Sequence, residues 1–115
     1  MSVRQRLGSV IRIKRECIEH YIALHDRIPD EVVHLQNAAG LYNYTIFIRE
    51  LPDGYPYLFS YVEYHGQDLD KDMEALSAAP AIQEWWARCK PCHEPIFDRA
   101  EGEWWASMRP IFHHA

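Results

Sequence analysis

The chain has 115 residues, of which 48% are hydrophobic, and this is the size of one domain with an ordinary core, so we expect a single domain over residues 1–115. No apolar run approaches the roughly 18 residues of a membrane span, and we expect no membrane segment. The net charge of -5 disfavours nucleic acid as a partner, because phosphate binding needs a basic surface. No stretch has the apolar core of a secretory signal, so a cytoplasmic location is expected.

The first third of the chain shows a strand pattern followed by helical patterns. Residues 10–13 belong to a short alternating run that predicts a first strand. From residue 17 to 25, apolar and aromatic residues recur at spacings of three and four, which predicts a helix ending near Ile28. A second helical pattern follows Pro29 and can close at Gly40, and the two pieces could form one bent helix.

The middle of the chain predicts a β-hairpin. Residues 41–51 are rich in aromatic and β-branched side chains, residues 52–54 (Pro-Asp-Gly) are typical of a turn, and residues 57–64 predict the returning strand. Two strands joined by so short a turn pair in antiparallel fashion.

The last third predicts two helices and a final strand. Helical spacing covers residues 69–76, and Pro80 begins another helix that ends before Pro91. Residues 104–114 predict a last strand, which Pro110 would confine to an edge or a bulge. The resulting order, β-α-β-β-α-β, is the ferredoxin-like split unit of an α+β fold.

Tyr21 and His25 form the first candidate site. They are four residues apart on a predicted helix, so both side chains can reach one small ligand. Histidine takes up and returns protons near neutral pH, which suits it to acid/base catalysis. Spacing alone favours the simpler interpretation, a surface or core histidine beside a packing tyrosine.

Aromatic residues elsewhere predict a binding wall. Trp85 and Trp86 are adjacent on a predicted helix, about 100° apart, so one can pack in the core while the other borders a cavity. Aromatic faces suit the C–H surface of a sugar, and Asn43 and Tyr44 on the hairpin would supply polar groups for its hydroxyls. Core packing of both tryptophans is the alternative.

The segment Cys89-Lys-Pro-Cys92-His93 spells the C-x-x-C-H pattern of covalent haem attachment, and its C-x-x-C part is half of a zinc or redox site. The rest of each pattern is missing, so we interpret the segment as incidental and expect neither metal nor other cofactor. His113 and His114 have no assigned role, since neighbours on a strand point to opposite sides.

Several short motifs are spread over almost the whole chain. They are Tyr21-x-x-x-His25, Gly40-Leu-Tyr-Asn43-Tyr44-Thr-Ile-Phe, Glu63-Tyr-x-Gly66, Trp85-Trp86 and Gly102-Glu-Trp-Trp-Ala-x-Met-x-x-Ile-Phe-His. In these motifs the chain resembles the L-rhamnose mutarotase family, including its branch linked to L-fucose. The resemblance implies a dimeric α/β barrel, in which two ferredoxin-like protomers pair their sheets around cofactor-free sugar pockets.

The resemblance also implies residue roles. His25 matches the family's acid/base histidine, Tyr21 and Tyr44 match its substrate-contacting tyrosines, and Trp85-Trp86 match its tryptophan pair. One departure is that residues 29–31 read Pro-Asp-Glu where many members have Trp-Pro-Glu, so a pocket wall is changed.

The expected function is therefore that of a sugar mutarotase, which interconverts the α and β anomers of a 6-deoxy-L-hexose, L-rhamnose or L-fucose, by acid/base ring opening and closure. The expected partners are a monosaccharide and a second copy of the chain. The main alternative is a non-catalytic ligand- or haem-binding dimeric α/β barrel, in which His25 or His93 would hold the ligand. A thiol redox protein using Cys89 and Cys92 is a weaker alternative.

Overall fold

A computed structural model describes residues 3–115, which form an α+β fold of one sheet and four α-helices. In chain order the elements are β1 (Gln5–Ile13), α1 (Ile18–Asp26), α2 (Asp30–Ala38), β2 (Leu41–Glu50), β3 (Pro56–Tyr64), α3 (Leu69–Ser77), α4 (Pro80–Cys89), β4 (His93–Glu94) and β5 (Ala106–Met108). Short 3₁₀ turns precede α1 and follow α4. Within residues 3–115 no helix has both the length and the hydropathy needed to cross a membrane.

The sheet has the ferredoxin-like strand order. Its strands lie in the order β2-β3-β1-β4, all antiparallel, and β5 also pairs with β1. The end of the chain therefore returns beside the first strand, as the split β-α-β-β-α-β unit requires. The predicted fold class and the predicted hairpin are confirmed.

The two helical patterns of the first third form two helices rather than one bent helix. Helix α1 ends at Asp26, and α2 begins at Asp30 with Pro29 as its N-cap in an extended conformation. Proline has no N–H to continue the hydrogen bonds of α1, so the helix cannot extend through Pro29 into α2. Gly40 follows α2 with a φ of 94°, the left-handed conformation that commonly closes a helix.

The last strand is much shorter than residues 104–114, so that predicted extent is wrong. Only Ala106–Met108 pairs with β1, opposite Val10 to Gly8. Continued pairing would place Pro110 beside β1 without a donor, and β1 itself begins only three residues before Gly8. A second short strand, β4, which the sequence pattern did not predict, pairs with the other end of β1.

The two faces of the sheet differ in what covers them. Ile11, Ile13, Leu58 and Val62 point toward the helices and belong to the buried core. Alternation along paired strands places Val10, Phe47, Phe59 and Tyr61 on the opposite side, which we name the open face. None of these four belongs to the described core cluster, and Phe47 is 61% exposed.

A β-bulge interrupts β2 near its start. The register of β2 against β3 shifts between Tyr42 and Thr45, so Asn43 and Tyr44 together lie opposite Val62. Asn43 has a φ of 54°, in the left-handed region that asparagine tolerates better than most residues. The extra residue bends the strand locally.

Candidate active site

A cavity of about 380 Å³ opens between the sheet and the helices α1 and α4. This volume is within the usual range for small-molecule sites. The structure brings most of the predicted site residues together there, and the cavity lining includes Tyr21, His25, Tyr44, Trp85 and Trp86. The cavity wall is aromatic and aliphatic, and its polar side chains are two histidines, two tyrosines, a carboxylate, an amide and a thiol: His25, His93, Tyr21, Tyr44, Asp26, Gln36 and Cys89.

Helix α1 holds Tyr21 and His25 one turn apart, with their ring centroids separated by 4.3 Å. The Nδ1 atom of His25 lies 2.8 Å from the backbone carbonyl oxygen of Tyr21. Because a carbonyl oxygen only accepts, Nδ1 carries the proton of the neutral ring and Nε2 keeps its lone pair. Within residues 3–115 no group hydrogen-bonds Nε2, so His25 has a free basic nitrogen at the cavity.

Helix α4 contributes two tryptophans in different environments. Trp85 is 6% exposed and lies edge-on to the His25 ring, with centroids 5.2 Å apart. Trp86 is half-buried, and Lys90 Nζ lies 5.8 Å from its ring centroid. Both tryptophans line the cavity. Trp85 also belongs to the buried core, so this one residue has both of the roles that helical spacing offers as alternatives.

The β2 bulge separates Asn43 from Tyr44. Tyr44 lines the cavity, whereas Asn43 is absent from its lining and donates from Nδ2 to Glu63 Oε1 at 2.9 Å. Asn43 therefore holds the bulge to β3 in the described chain, and its role as a substrate contact stays a prediction.

His93 is the residue that sequence reasoning did not place in this site. The ring is 7% exposed, and its Nε2 atom lies 2.8 Å from the hydroxyl of Tyr21. On the other side, Trp104 donates from Nε1 to Nδ1 of His93 at 3.0 Å. The C-x-x-C-H pattern drew attention to His93, but as a cofactor ligand and not as a neighbour of Tyr21.

Burial decides the protonation of these groups. It lowers the pKa of His93 to about 4, with smaller contributions from the neighbouring His25 and Lys90, so the ring is neutral at pH 7. Burial, with a smaller contribution from Cys89, raises the pKa of Tyr21 and of Tyr44 above the ordinary value for a phenol. Both phenols remain protonated and can donate hydrogen bonds to a ligand.

The thiols of the C-x-x-C segment are poorly suited to metal or redox chemistry. Burial, followed by the neighbouring Cys92, raises the pKa of Cys89 to about 11. Burial, followed by a hydrogen bond with Cys17, raises that of Cys92 to about 11. The thiolate is the reactive and metal-binding form, and it is scarce at neutral pH in such surroundings. In the described part of the chain, no cluster of three or more His, Cys, Asp or Glu residues is arranged to hold a metal ion.

Comparison with solved structures identifies the fold. An L-rhamnose mutarotase from Formosa agariphila superposes with a TM-score of 0.72 and 17% identity, over 96% of this chain and 99% of its own. A type-II polyketide cyclase from Streptomyces glaucescens gives a TM-score of 0.70 and 15% identity, over 96% of this chain and 97% of its own. Two different activities thus share this architecture, so the fold alone does not decide the function.

Sequence comparison identifies the family. A sequence model described as L-rhamnose mutarotase matches residues 6–114. An L-rhamnose mutarotase of Jannaschia sp. (strain CCS1) is 30% identical over 97 residues, which cover 84% of this chain and 86% of that protein. One from Leptothrix cholodnii is 33% identical over 86 residues, or 70% of this chain and 76% of that protein. The chain belongs to the L-rhamnose mutarotase family and is an isomerase of the carbohydrate epimerase class.

Proposed function

We propose that this isomerase interconverts the α and β anomers of a 6-deoxy-L-hexose, with L-rhamnose as the first candidate and L-fucose as the second. The observation that carries the proposal is the pairing on α1 of a histidine with a free basic Nε2 and a tyrosine whose hydroxyl stays protonated. Their rings are 4.3 Å apart, so one small sugar can contact both. The family match favours L-rhamnose as the sugar to test first.

Anomer exchange needs one base and one acid. In the forward step, His25 Nε2 removes the proton of the anomeric hydroxyl, and the released electron pair forms the carbonyl bond at C1. The bond from C1 to the ring oxygen breaks, and the ring oxygen takes the proton of the Tyr21 hydroxyl. The open aldehyde turns about its C1–C2 bond. On closure the ring oxygen attacks C1 and returns its proton to the Tyr21 oxygen, while the carbonyl oxygen takes the proton from His25 Nε2, which gives the opposite configuration at C1.

The aromatic wall supports a 6-deoxy sugar in particular. A 6-deoxyhexose has a methyl group where other hexoses have a hydroxymethyl group, so more of its surface is apolar. Trp85 and Trp86 offer apolar faces, while Tyr44 offers a hydroxyl to the sugar. A sugar held mainly by such faces can rotate about C1–C2 inside the cavity.

We further propose that two copies of the chain pair through the open face. Phe47, Phe59 and Tyr61 form an aromatic surface on the side of the sheet opposite the helices. Burial of such a surface against a second copy removes apolar area from water. A cytoplasmic location stays a prediction.

The test is NMR magnetisation exchange between the two anomeric protons, with L-rhamnose, L-fucose, D-glucose and D-galactose measured in parallel. We expect acceleration well above the buffer rate for one or both 6-deoxy sugars, and much less for D-glucose. Equal buffer rates for all four sugars would overturn the proposal. A haem absorption band in the purified protein would instead support the ligand-binding alternative, which the hydrogen-bonded nitrogens of His93 do not favour.

A further inference from the structure

Three residues from distant parts of the chain form one line of hydrogen bonds that ends at the cavity. The Trp104 indole nitrogen lies 3.0 Å from His93 Nδ1, and His93 Nε2 lies 2.8 Å from the Tyr21 hydroxyl oxygen. Tyr21 and His93 are 72 residues apart in sequence. Strand β4 makes the contact possible, because it pairs His93 with Ile13 at the end of β1.

The direction of these hydrogen bonds follows from Trp104. An indole N–H only donates, so His93 Nδ1 must accept and cannot carry a proton in the neutral ring. The single proton of the neutral imidazole is then on Nε2, which donates to the Tyr21 oxygen. The Tyr21 O–H consequently does not donate a hydrogen bond to His93, and within residues 3–115 no other group accepts a hydrogen bond from it.

With the proposed mutarotase function as its basis, we propose that His93 and Trp104 are positioning residues that hold the Tyr21 hydroxyl as a proton donor to the sugar's ring oxygen. When Tyr21 gives up its proton, negative charge develops on the phenol oxygen. The His93 Nε2–H already points at that oxygen and stabilises the charge without reorganisation.

The surroundings keep this arrangement fixed. His93 is buried and remains neutral at pH 7, so protonation does not add a second donor at Nδ1 and displace Trp104. The loop that carries Trp104 is held by Arg99, which donates to the backbone carbonyl oxygens of Ile96 and Glu103. The Glu103 carboxylate in turn accepts from the backbone N–H groups of Ala100 and Ser107.

A direct test is the tautomer of His93, read from ¹H–¹⁵N correlation spectra of protein labelled with ¹⁵N-histidine. Assignment comes from the His93→Gln variant, which lacks the signal. We expect the Nε2–H tautomer in the unmodified protein and a mixture of both tautomers in Trp104→Phe, since phenylalanine has no N–H. The Nδ1–H tautomer in the unmodified protein would overturn the inference.

The kinetic test separates positioning from simple packing. His93→Phe keeps an aromatic ring but loses the donor, and we expect kcat for anomer exchange to fall about 10- to 100-fold, with a smaller change in KM. His93→Gln can accept from Trp104 and donate to Tyr21, so it should recover most of the lost rate. Trp104→Phe should lower kcat less than His93→Phe does.

The decisive comparison uses Tyr21→Phe, which has no hydroxyl to position. In that background His93→Phe should cause little further loss, because both changes remove the same function. Fully additive losses, or equal rates for His93→Gln and His93→Phe, would overturn the inference. Circular dichroism and size-exclusion elution identify the folded variants that enter the comparison.

Failure of the function and failure of this inference give different results. A protein that leaves every sugar at the buffer rate overturns the proposed function. A protein that accelerates exchange but has His93 protonated on Nδ1 overturns only the role of His93 and Trp104.

Discussion

The Nδ1 atom of His25 lies 2.8 Å from the carbonyl oxygen of Tyr21, so the helix that carries both residues also fixes the histidine tautomer. The backbone of α1 thereby leaves Nε2 as the basic atom at the cavity. A helix is a rigid support for such an arrangement, because its carbonyl positions are set by the hydrogen bonds of the turn itself.

His25→Gln is expected to lower the anomer exchange rate by well over tenfold, since general acid/base groups typically contribute about 10²- to 10⁴-fold. The fold should be retained, because the glutamine amide can donate to the same carbonyl oxygen. NMR exchange with L-rhamnose measures the rate. His20→Gln is a matched control, since His20 is an exposed residue of the same helix. Equal rates for the two variants would contradict the assignment of His25.

Trp85→Ala should destabilise the protein by about 3 to 5 kcal/mol, because Trp85 is almost fully buried. Trp86→Ala should cost less, about 1 to 2 kcal/mol, since its side chain is only half-buried. Urea unfolding followed by circular dichroism measures both. Sugar titrations should show weaker binding for Trp86→Ala. Normal affinity in this variant would show that Trp86 does not contact the sugar.

The open face predicts a dimer, so light scattering should give twice the 13.6 kDa chain mass at micromolar concentration. Phe59→Asp should shift the protein toward the monomer, because it places a carboxylate in the middle of that face. Phe97→Asp is the control, since Phe97 is 96% exposed in a loop between β4 and β5. Dissociation by Phe97→Asp but not by Phe59→Asp would place the contact elsewhere.

The buried thiols should react slowly. At pH 7.5, iodoacetamide should modify Cys89 and Cys92 roughly a hundredfold more slowly in the native protein than in the protein in urea, because burial is the main cause that raises both pKa values to about 11. Mass spectrometry follows the modification. Dialysis against a chelator should leave the anomer exchange rate unchanged. Loss of activity that zinc restores would instead support a metal role.

The pH dependence of stability should carry a contribution from His93. Its folded-state pKa of about 4 is below the ordinary 6.5, so between these values the unfolded chain binds the extra proton. The free energy of unfolding should therefore fall by about 1 kcal/mol for each pH unit as the pH drops from 6.5 toward 4. His93→Gln should show a shallower fall in urea titrations at pH 7, 6 and 5. Parallel curves for both proteins would contradict a neutral, buried His93.

Local patterns were sufficient to predict much of this structure. The spacing of Tyr21 and His25 lies within one helical turn, and the hairpin is defined by a short turn between two β-rich runs. In both cases the residues that interact are neighbours in sequence, or are brought together by a single turn. Periodicity detects such arrangements directly.

The parts of the fold and of the site that these patterns do not predict depend on contacts between distant segments. His93 reaches Tyr21 only because β4 pairs with β1, and β4 has two residues, too few to show an alternating pattern. Trp104 reaches His93 through an irregular loop, which has no periodicity to read. Asn43 resembles any polar residue of a strand until the register shift beside it is known.

The bulge at Asn43 decides which side chains of β2 face the cavity. If Asn43 and Tyr44 each paired with one residue of β3, strict alternation would carry Thr45 and Phe47 toward the helices and turn Ile46 and Ile48 outward. Deletion of Asn43 would instead leave Tyr44 alone opposite Val62 and keep Ile46 and Ile48 on the helix side. The bulge therefore absorbs one extra residue of the β2 sequence, and the aliphatic side chains beyond it stay on the cavity side of the sheet.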